Sequence, residues 1–318
     1  MLKADPESRS GSSLQSRRQL LASIAATGIA SASGCSTRRP GGLVAAAQTN
    51  WIPEPLQPPT KEDFADLGDV RLWYSDTGGT NEPVVVLQPM TGSDAVWSYQ
   101  RPAFVDAGFR FIAYSRRGHG KSEPGPPNDP GYGARDLEAL ANFLGLTRFH
   151  LLGTAAGGFL APDFALSYPD RLLSLVIACS LGGITDSQYR ATTTRMTGPD
   201  FYRMPSSFRE LGPSYRAACP DGVRRWEELE HASRSGPLIQ QLLLNDLSWE
   251  ALAKITAPTL VLTGDADLYQ PPSRMREFAS HIQKATTIVI PESGHSAYWE
   301  QPIAFNSAVL SFLEMHRE

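Results

Sequence analysis

Residues 149–169 read "FHLLGTAAGGFLAPDFALSYP", and the reading of this stretch decides the fold. "FHLL" is a short apolar run that suits a buried strand, and "FLAPDFALSYP" carries the apolar spacing of a helix. Between them "GTAAGG" (153–158) has no large side chain. A chain can therefore turn sharply there, with strand and helix backbones in close approach. A strand, a tight turn and a helix in this order is half of a βαβ unit.

The same alternation extends in both directions. Strand-like runs occur at "VRLWYS" (70–75), "PVVVLQ" (83–88), "FRFIAYS" (109–115), "LLSLVIAC" (172–179), "PTLVLTG" (258–264) and "ATTIVIP" (285–291). Val84-Val85-Val86-Leu87 has no polar alternation, which predicts strands buried on both faces of a parallel sheet. Amphipathic stretches such as "ARDLEALANFLGL" and "SRMREFASHI" lie between them, and the class is α/β with helices on both sides of an open sheet. The rhythm breaks over residues 182–250, where "DGVRRWEELEHASR" and "GPLIQQLLLNDL" read as helical pieces. A helical insertion here is expected to cover the carboxyl ends of the strands as a lid, since ligands of open α/β sheets bind at that edge.

The 318 residues carry a net charge of −4 and 41% hydrophobic side chains, enough for a sizeable core. That balance offers no basic face for nucleic acid or an anionic membrane. No run approaches the roughly 20 apolar residues of a membrane span. The N-terminal "SRRQLLASIAATGIASASGC" pairs Arg17 and Arg18 with a weakly apolar run and then small residues. This order resembles a bacterial twin-arginine export signal over residues 1–35, with cleavage after Ala30-Ser31-Ala32. The expected partner is the export machinery, and the expected location is periplasmic or outside the cytoplasmic membrane. Cys35 follows small residues as in a lipid-anchor site, although Ala32 stands where leucine is usual. Residues 36–60, rich in Pro, Gly and Ala, read as a linker. With Cys35 set aside, Cys179 and Cys219 leave one disulfide arithmetically open. No cysteine/histidine spacing suits a metal, and no cofactor is expected.

Three strand ends carry chemistry together: "GTAAGG", "GDADLYQPP" (264–272) and "SGHSAYWEQP" (293–302). A nucleophile, a histidine base and a carboxylate that orients the base form one catalytic unit when rigid elements hold them. Asp267 and His295 supply the last two, and Ala155 stands at the nucleophile position.

The region 61–181 with 251–318 resembles the α/β-hydrolase superfamily, in its lidded esterase, lactonase and C–C hydrolase branch. The resemblance rests on "YSRRGHGKS" (114–122) for D-x-R-G-x-G-x-S, "LGTAAGG" for L-G-x-S-x-G-G, "GDADLYQP" for G-x-x-D-x-x-x-P, and "GHSAYWEQP" for G-H-x-x-x-x-E-x-P. It implies a mostly parallel eight-stranded sheet flanked by helices, with residues 182–250 as the lid. It also implies an oxyanion hole from the backbone N–H groups of Met90 and Ala156, whose use does not depend on side-chain identity. Three positions depart from the pattern. Ala155 replaces the serine, Gln88-Pro89 replaces the His-Gly pair, and Ser115 replaces the acid that opens the fourth-strand motif.

The alanine excludes a covalent intermediate at residue 155, because a methyl group cannot attack a carbonyl. The reading that follows is an enzyme acting on a small, largely apolar substrate through a His295–Asp267 base. Hydrolysis of an ester, lactone or C–C bond is the first expectation; lyase, cyclase or cofactor-free oxygenase chemistry is the alternative. A retired ligand-binding protein, a displaced nucleophile at Thr154 or Ser93, and a serine-to-alanine variant of an ordinary hydrolase also remain open. Gln88, Thr154, Trp97, Tyr269 and Tyr298 are candidate pocket residues, with ordinary core packing nearly as good an account of the aromatic ones.

Overall fold

The computed structural model describes residues 51–234, 236 and 239–318. The export segment and the first part of the expected linker lie outside them. The strands are β1 (Lys61–Asp66), β2 (Arg71–Asp76), β3 (Pro83–Leu87), β4 (Arg110–Tyr114), β5 (Phe149–Thr154), β6 (Leu172–Ala178), β7 (Thr259–Gly264) and β8 (Ala285–Ile290). They form one eight-stranded sheet in the order β1-β2-β4-β3-β5-β6-β7-β8. β1 and β2 run antiparallel to their neighbours, and the pairs from β3/β4 to β7/β8 are parallel. The unpolarised run at 84–87 now has its reason. Val84 and Val86 face one apolar core while Val85 and Leu87 face the other, so each step of the pleat is buried.

Helices α1 (Gln100–Asp106), α2 (Gly133–Phe143) and α3 (Gly157–Ser167) alternate with the strands, and α2 and α3 pack on the Val85 face. Between β6 and β7 come α4 (Ser187–Thr197), α5 (Ser206–Glu210), α6 (Pro213–Ala218), α7 (Pro220–Ala232) and α8 (Trp249–Leu252). α9 (Pro272–Ser280), α10 (Ala297–Glu300) and α11 (Pro302–Glu314) complete the chain, with α11 on the Val84 face.

Two readings of the sequence are corrected. β1 is absent from the strands read in the sequence because "KEDFAD" is an exposed edge, charged on its outer side and buried only at Ala65. "GPLIQQLLLNDL" is not helical in its described residues 239–247. Its polar groups are satisfied elsewhere: Leu242 N–H donates to Gly131 O (2.9 Å), and the N–H groups of Leu244 and Asn245 donate to the Asp163 carboxylate (2.9 Å each). The Gly131 carbonyl just before α2 and the Asp163 side chain on α3 thus hold this segment as an extended strap. Residues 51–60 lack helix or strand but are anchored. Trp51 donates to Tyr99 Oη (3.1 Å), Gln57 to Ser98 O (2.8 Å), and Glu54 pairs with Arg225 (2.6 Å). Cys179 and Cys219 are both free thiols, so they form no disulfide.

Candidate active site

The turn after β5 is built by what its neighbours exclude. A Cβ on Gly153 would lie 2.4 Å from Gly157 O, and one on Gly157 only 2.3 Å from Leu87 O. Only glycine allows β3, β5 and α3 to meet so closely. Ala155 occupies the apex with φ +50°, a left-handed conformation unusual for a residue with a side chain. Ala155 N–H donates to Ala178 O (3.0 Å), and Ala155 O accepts from Gly158 N–H (3.1 Å) and Ser180 Oγ (2.6 Å). Among the described residues the other non-glycine positions with positive φ are Cys179 and Glu292. These follow β6 and β8, so all the backbone strain of this kind gathers at one edge of the sheet.

At that edge a cavity of about 300 Å³ opens. Its wall includes Ala155, His295, Met90, Ala156 and Tyr269. Asp267, buried in the loop after β7, lies 2.9 Å from His295 Nδ1 through either oxygen. Its Oδ1 also accepts the N–H groups of Tyr269 (2.8 Å) and Gln270 (2.9 Å), and its Oδ2 accepts Thr263 Oγ1 (2.9 Å). Asp265 is turned elsewhere, accepting Ser293 N–H at 3.2 Å.

Electrostatics bind the pair as one unit. Burial by itself would raise the Asp267 carboxyl, but the charge and hydrogen bond of His295 and the two backbone donors outweigh it and hold it below the usual range. Burial by itself would lower His295, yet attraction to Asp267 and the hydrogen bond between them leave the imidazole above its ordinary value. The Tyr269 ring lies 4.3 Å from that of His295, tilted by 34°, and Tyr269 Oη receives a hydrogen bond from Arg209. The ring plane of the histidine is fixed from two directions. With Nδ1 committed to Asp267, Nε2 is the nitrogen left for other work.

Glu300 ties the histidine loop to the helical segment: its carboxylate oxygens accept Gly294 N–H (2.9 Å) and Gly212 N–H (2.6 Å). Burial pushes its carboxyl up to about 8.

The remaining candidates separate. Met90 and Ala156 lie on the cavity wall, and neither N–H has a hydrogen-bond acceptor among the described residues. Gln88, Thr154, Trp97 and Tyr298 do not line it. Trp97 and Tyr298 pack on each other in the core at 5.2 Å. Gln88 is buried, and its amide joins Tyr114 O (2.9 Å) to Arg116 N–H (3.0 Å), stapling two strand ends. Thr154 is wholly buried on β5, and its hydroxyl finds no partner there. Ser93 caps a short turn by accepting Ala95 N–H (3.3 Å) and is also off the wall. Arg117 is buried in ion pairs with Asp136 (2.7 Å) and Asp69 (2.8 Å), a role in the turn rather than at the cavity. The acid missing at Ser115 is replaced across space: Ser115 Oγ donates to Asp94 Oδ1 (2.8 Å), and Asp94 N–H donates back (3.1 Å).

Sequence reasoning missed the polar half of the cavity. Ser206, Arg209, Glu210, Glu230 and Arg234 line it from the helical segment, opposite Phe159 and Leu181. They fall in no motif, and on a helix their spacing looks like a solvated face.

The profile of the alpha/beta hydrolase family matches residues 84–308. The 2-hydroxy-6-oxononadienedioate/2-hydroxy-6-oxononatrienedioate hydrolase of Burkholderia vietnamiensis is 30% identical over 272 residues, covering 78% of this chain and 92% of its own length. The 2-hydroxy-6-oxo-6-phenylhexa-2,4-dienoate hydrolase of Comamonas testosteroni is 29% identical, with 78% and 93% covered. A thermophilic esterase from Thermogutta terrifontis, solved with malate bound, superposes with a TM-score of 0.65 at 27% identity, covering 81% of this chain and 100% of that one. With the family profile spanning most of the sheet, this chain belongs to the alpha/beta hydrolase family, and its relatives are hydrolases and esterases acting on small molecules.

Proposed function

We propose that this protein is a hydrolase in which His295, oriented by Asp267, activates water for direct attack on an ester, lactone or similarly activated carbonyl. The observation that carries this reading is the His295–Asp267 hydrogen bond of 2.9 Å, with His295 on the wall of the cavity that Ala155 also lines. The methyl group of Ala155 leaves room where a serine oxygen would stand, and a water there lies within the province of His295 Nε2. The imidazole takes a proton from that water as the oxygen adds to the carbonyl carbon. The N–H groups of Met90 and Ala156, free of other acceptors, would receive the developing oxyanion. Collapse breaks the bond to the leaving group, which departs with a proton, and no acyl-enzyme forms.

The substrate is small, since about 300 Å³ is at the low end of ligand pockets. Its apolar body lies along Met90, Phe159 and Leu181, and its polar end faces Arg209 and Arg234. The acids named for two relatives and the malate in the esterase structure suit that polar end. The helical segment acts as the lid, and residues 1–35 direct export to the periplasm or the outer side of the cytoplasmic membrane.

A panel of esters and lactones tests the reading, run on the wild type and on His295→Ala. Turnover by the wild type with a loss of at least about 10²-fold in the variant is expected of a lost general base. Equal rates in the two proteins would end it.

A further inference from the structure

Glu210, the last residue of α5, is an acid that the chemistry above does not use. It is 6% exposed and lines the cavity that also holds His295, Ala155, Met90 and Ala156. Its Oε2 is buried with no hydrogen-bond partner. Burying a carboxylate oxygen without a donor penalises the charged form and favours the protonated one. Its backbone carbonyl, by contrast, is fully used: it accepts the N–H groups of His295 (2.8 Å) and Ser296 (3.0 Å). The backbone of residue 210 is therefore fastened to the backbone of the histidine, and the carboxyl is carried on the same cavity wall as the base.

We infer that Glu210 is the catalytic acid that protonates the leaving group, a role that rests on the hydrolytic reading of the site. The division of labour balances. His295 takes one proton from water as the new C–O bond forms. Glu210 gives its proton to the leaving oxygen as the old C–O bond breaks. The imidazolium and the Glu210 carboxylate that result are neighbours of opposite charge, and transfer of the proton from one to the other restores both. The net reaction is ester and water to acid and alcohol. Burial keeps the carboxyl above the usual range, against the pull of His295 and Arg209 and with the help of Asp267 and Glu230. The substrate class this arrangement serves is alkyl esters and lactones, whose alkoxide cannot leave without a proton. Aryl esters, whose phenolate leaves unaided, gain little from it.

The test compares ethyl acetate with p-nitrophenyl acetate in wild type, Glu210→Gln and His295→Ala. Glu210→Gln keeps shape and hydrogen bonding but carries no transferable proton. Its kcat/KM for the ethyl ester should fall about 10²-fold further than for the aryl ester, the usual scale of general acid catalysis. Equal losses on the two esters, or none, would overturn the role while leaving the hydrolytic reading intact, provided His295→Ala is inactive on both. A wild type inert toward both esters, or an unimpaired His295→Ala, would remove the hydrolytic reading and this role with it. A measurement without turnover runs beside it. The infrared spectrum at pH 7 should contain a protonated-carboxyl band that Glu210→Gln removes, and no difference between the two spectra would overturn the proposal by itself.

Discussion

Restoring the missing oxygen is the sharpest perturbation this site allows. Ala155→Ser keeps a Cβ at φ +50°, so the turn bears the same strain before and after. The new hydroxyl would enter the cavity that the methyl group now lines together with His295, whose Nδ1 is already held by Asp267 at 2.9 Å. Deleting the serine of an assembled triad costs about 10⁶ in turnover, while the oxyanion hole and binding alone keep about 10³ over water. His295 is bonded to Asp267 and the N–H groups of Met90 and Ala156 lack other acceptors, so on the proposed reading the reverse change should recover much of that gap. A gain of at least about 10³-fold in hydrolysis of p-nitrophenyl acetate is expected, equal to about 4 kcal/mol off the barrier. A fluorophosphonate probe should label the variant at residue 155 and leave the wild type unlabelled there. Doubling the variant with His295→Ala should abolish both gains. A serine variant with no adduct and less than about a tenfold gain would refute the claim that base and elbow converge on one reacting atom.

Other expectations follow from the same geometry. Asp267→Asn removes the attraction that raises His295, so the acid limb of kcat/KM, which requires neutral imidazole, should shift to lower pH. Its rate at the optimum should drop about 10⁴-fold, as for a base held in the wrong tautomer; an unmoved limb would separate the two residues. Gly157→Ala places a Cβ 2.3 Å from Leu87 O, backbone against backbone, and should cost about 3 kcal/mol in urea unfolding. Asp163→Ala leaves the N–H groups of Leu244 and Asn245 without their buried acceptor, for a loss of about 2–4 kcal/mol. Faster hydrogen exchange across 242–247 should accompany it, and slow exchange there would show that the strap has other support.

What the sequence made legible was set by local physics. Strands buried on both faces announce themselves as unbroken apolar runs, and β3, β5, β6 and β7 are of that kind. β1 is not: at the sheet edge, exposure permits charge, and "KEDFAD" carries no apolar signal. The strap at 239–247 misleads because leucines on both sides of a polar pair mimic a helix, while its true partner, Asp163, is about eighty residues away in the chain. The site divides in the same manner. His295 and Asp267 sit in turns whose glycines and prolines mark them, whereas Glu210 and Arg209 act from a short helix where acids and bases are ordinary. Trp97 and Tyr298 were ambiguous for the opposite reason, since an aromatic ring beside a motif can face the cavity or the core, and both face the core.

The survival of the turn without its serine has a physical cause in those same neighbours. Nothing that holds residue 155 in its left-handed conformation depends on its side chain. Its N–H goes to Ala178 O, its carbonyl to Gly158 N–H and Ser180 Oγ, and the glycines on either side meet β3 and α3 at distances no Cβ permits. The apex keeps its shape through backbone contacts alone, at the cost of about 1–3 kcal/mol of strain that an alanine cannot relieve. A strained apex over a cavity still aims its neighbours: the Ala156 N–H remains without an acceptor, and His295 remains on the wall of the same cavity. Losing one oxygen therefore changes which atom attacks and leaves the surroundings of the attacked carbonyl as they were. That is why the chemistry should pass to water.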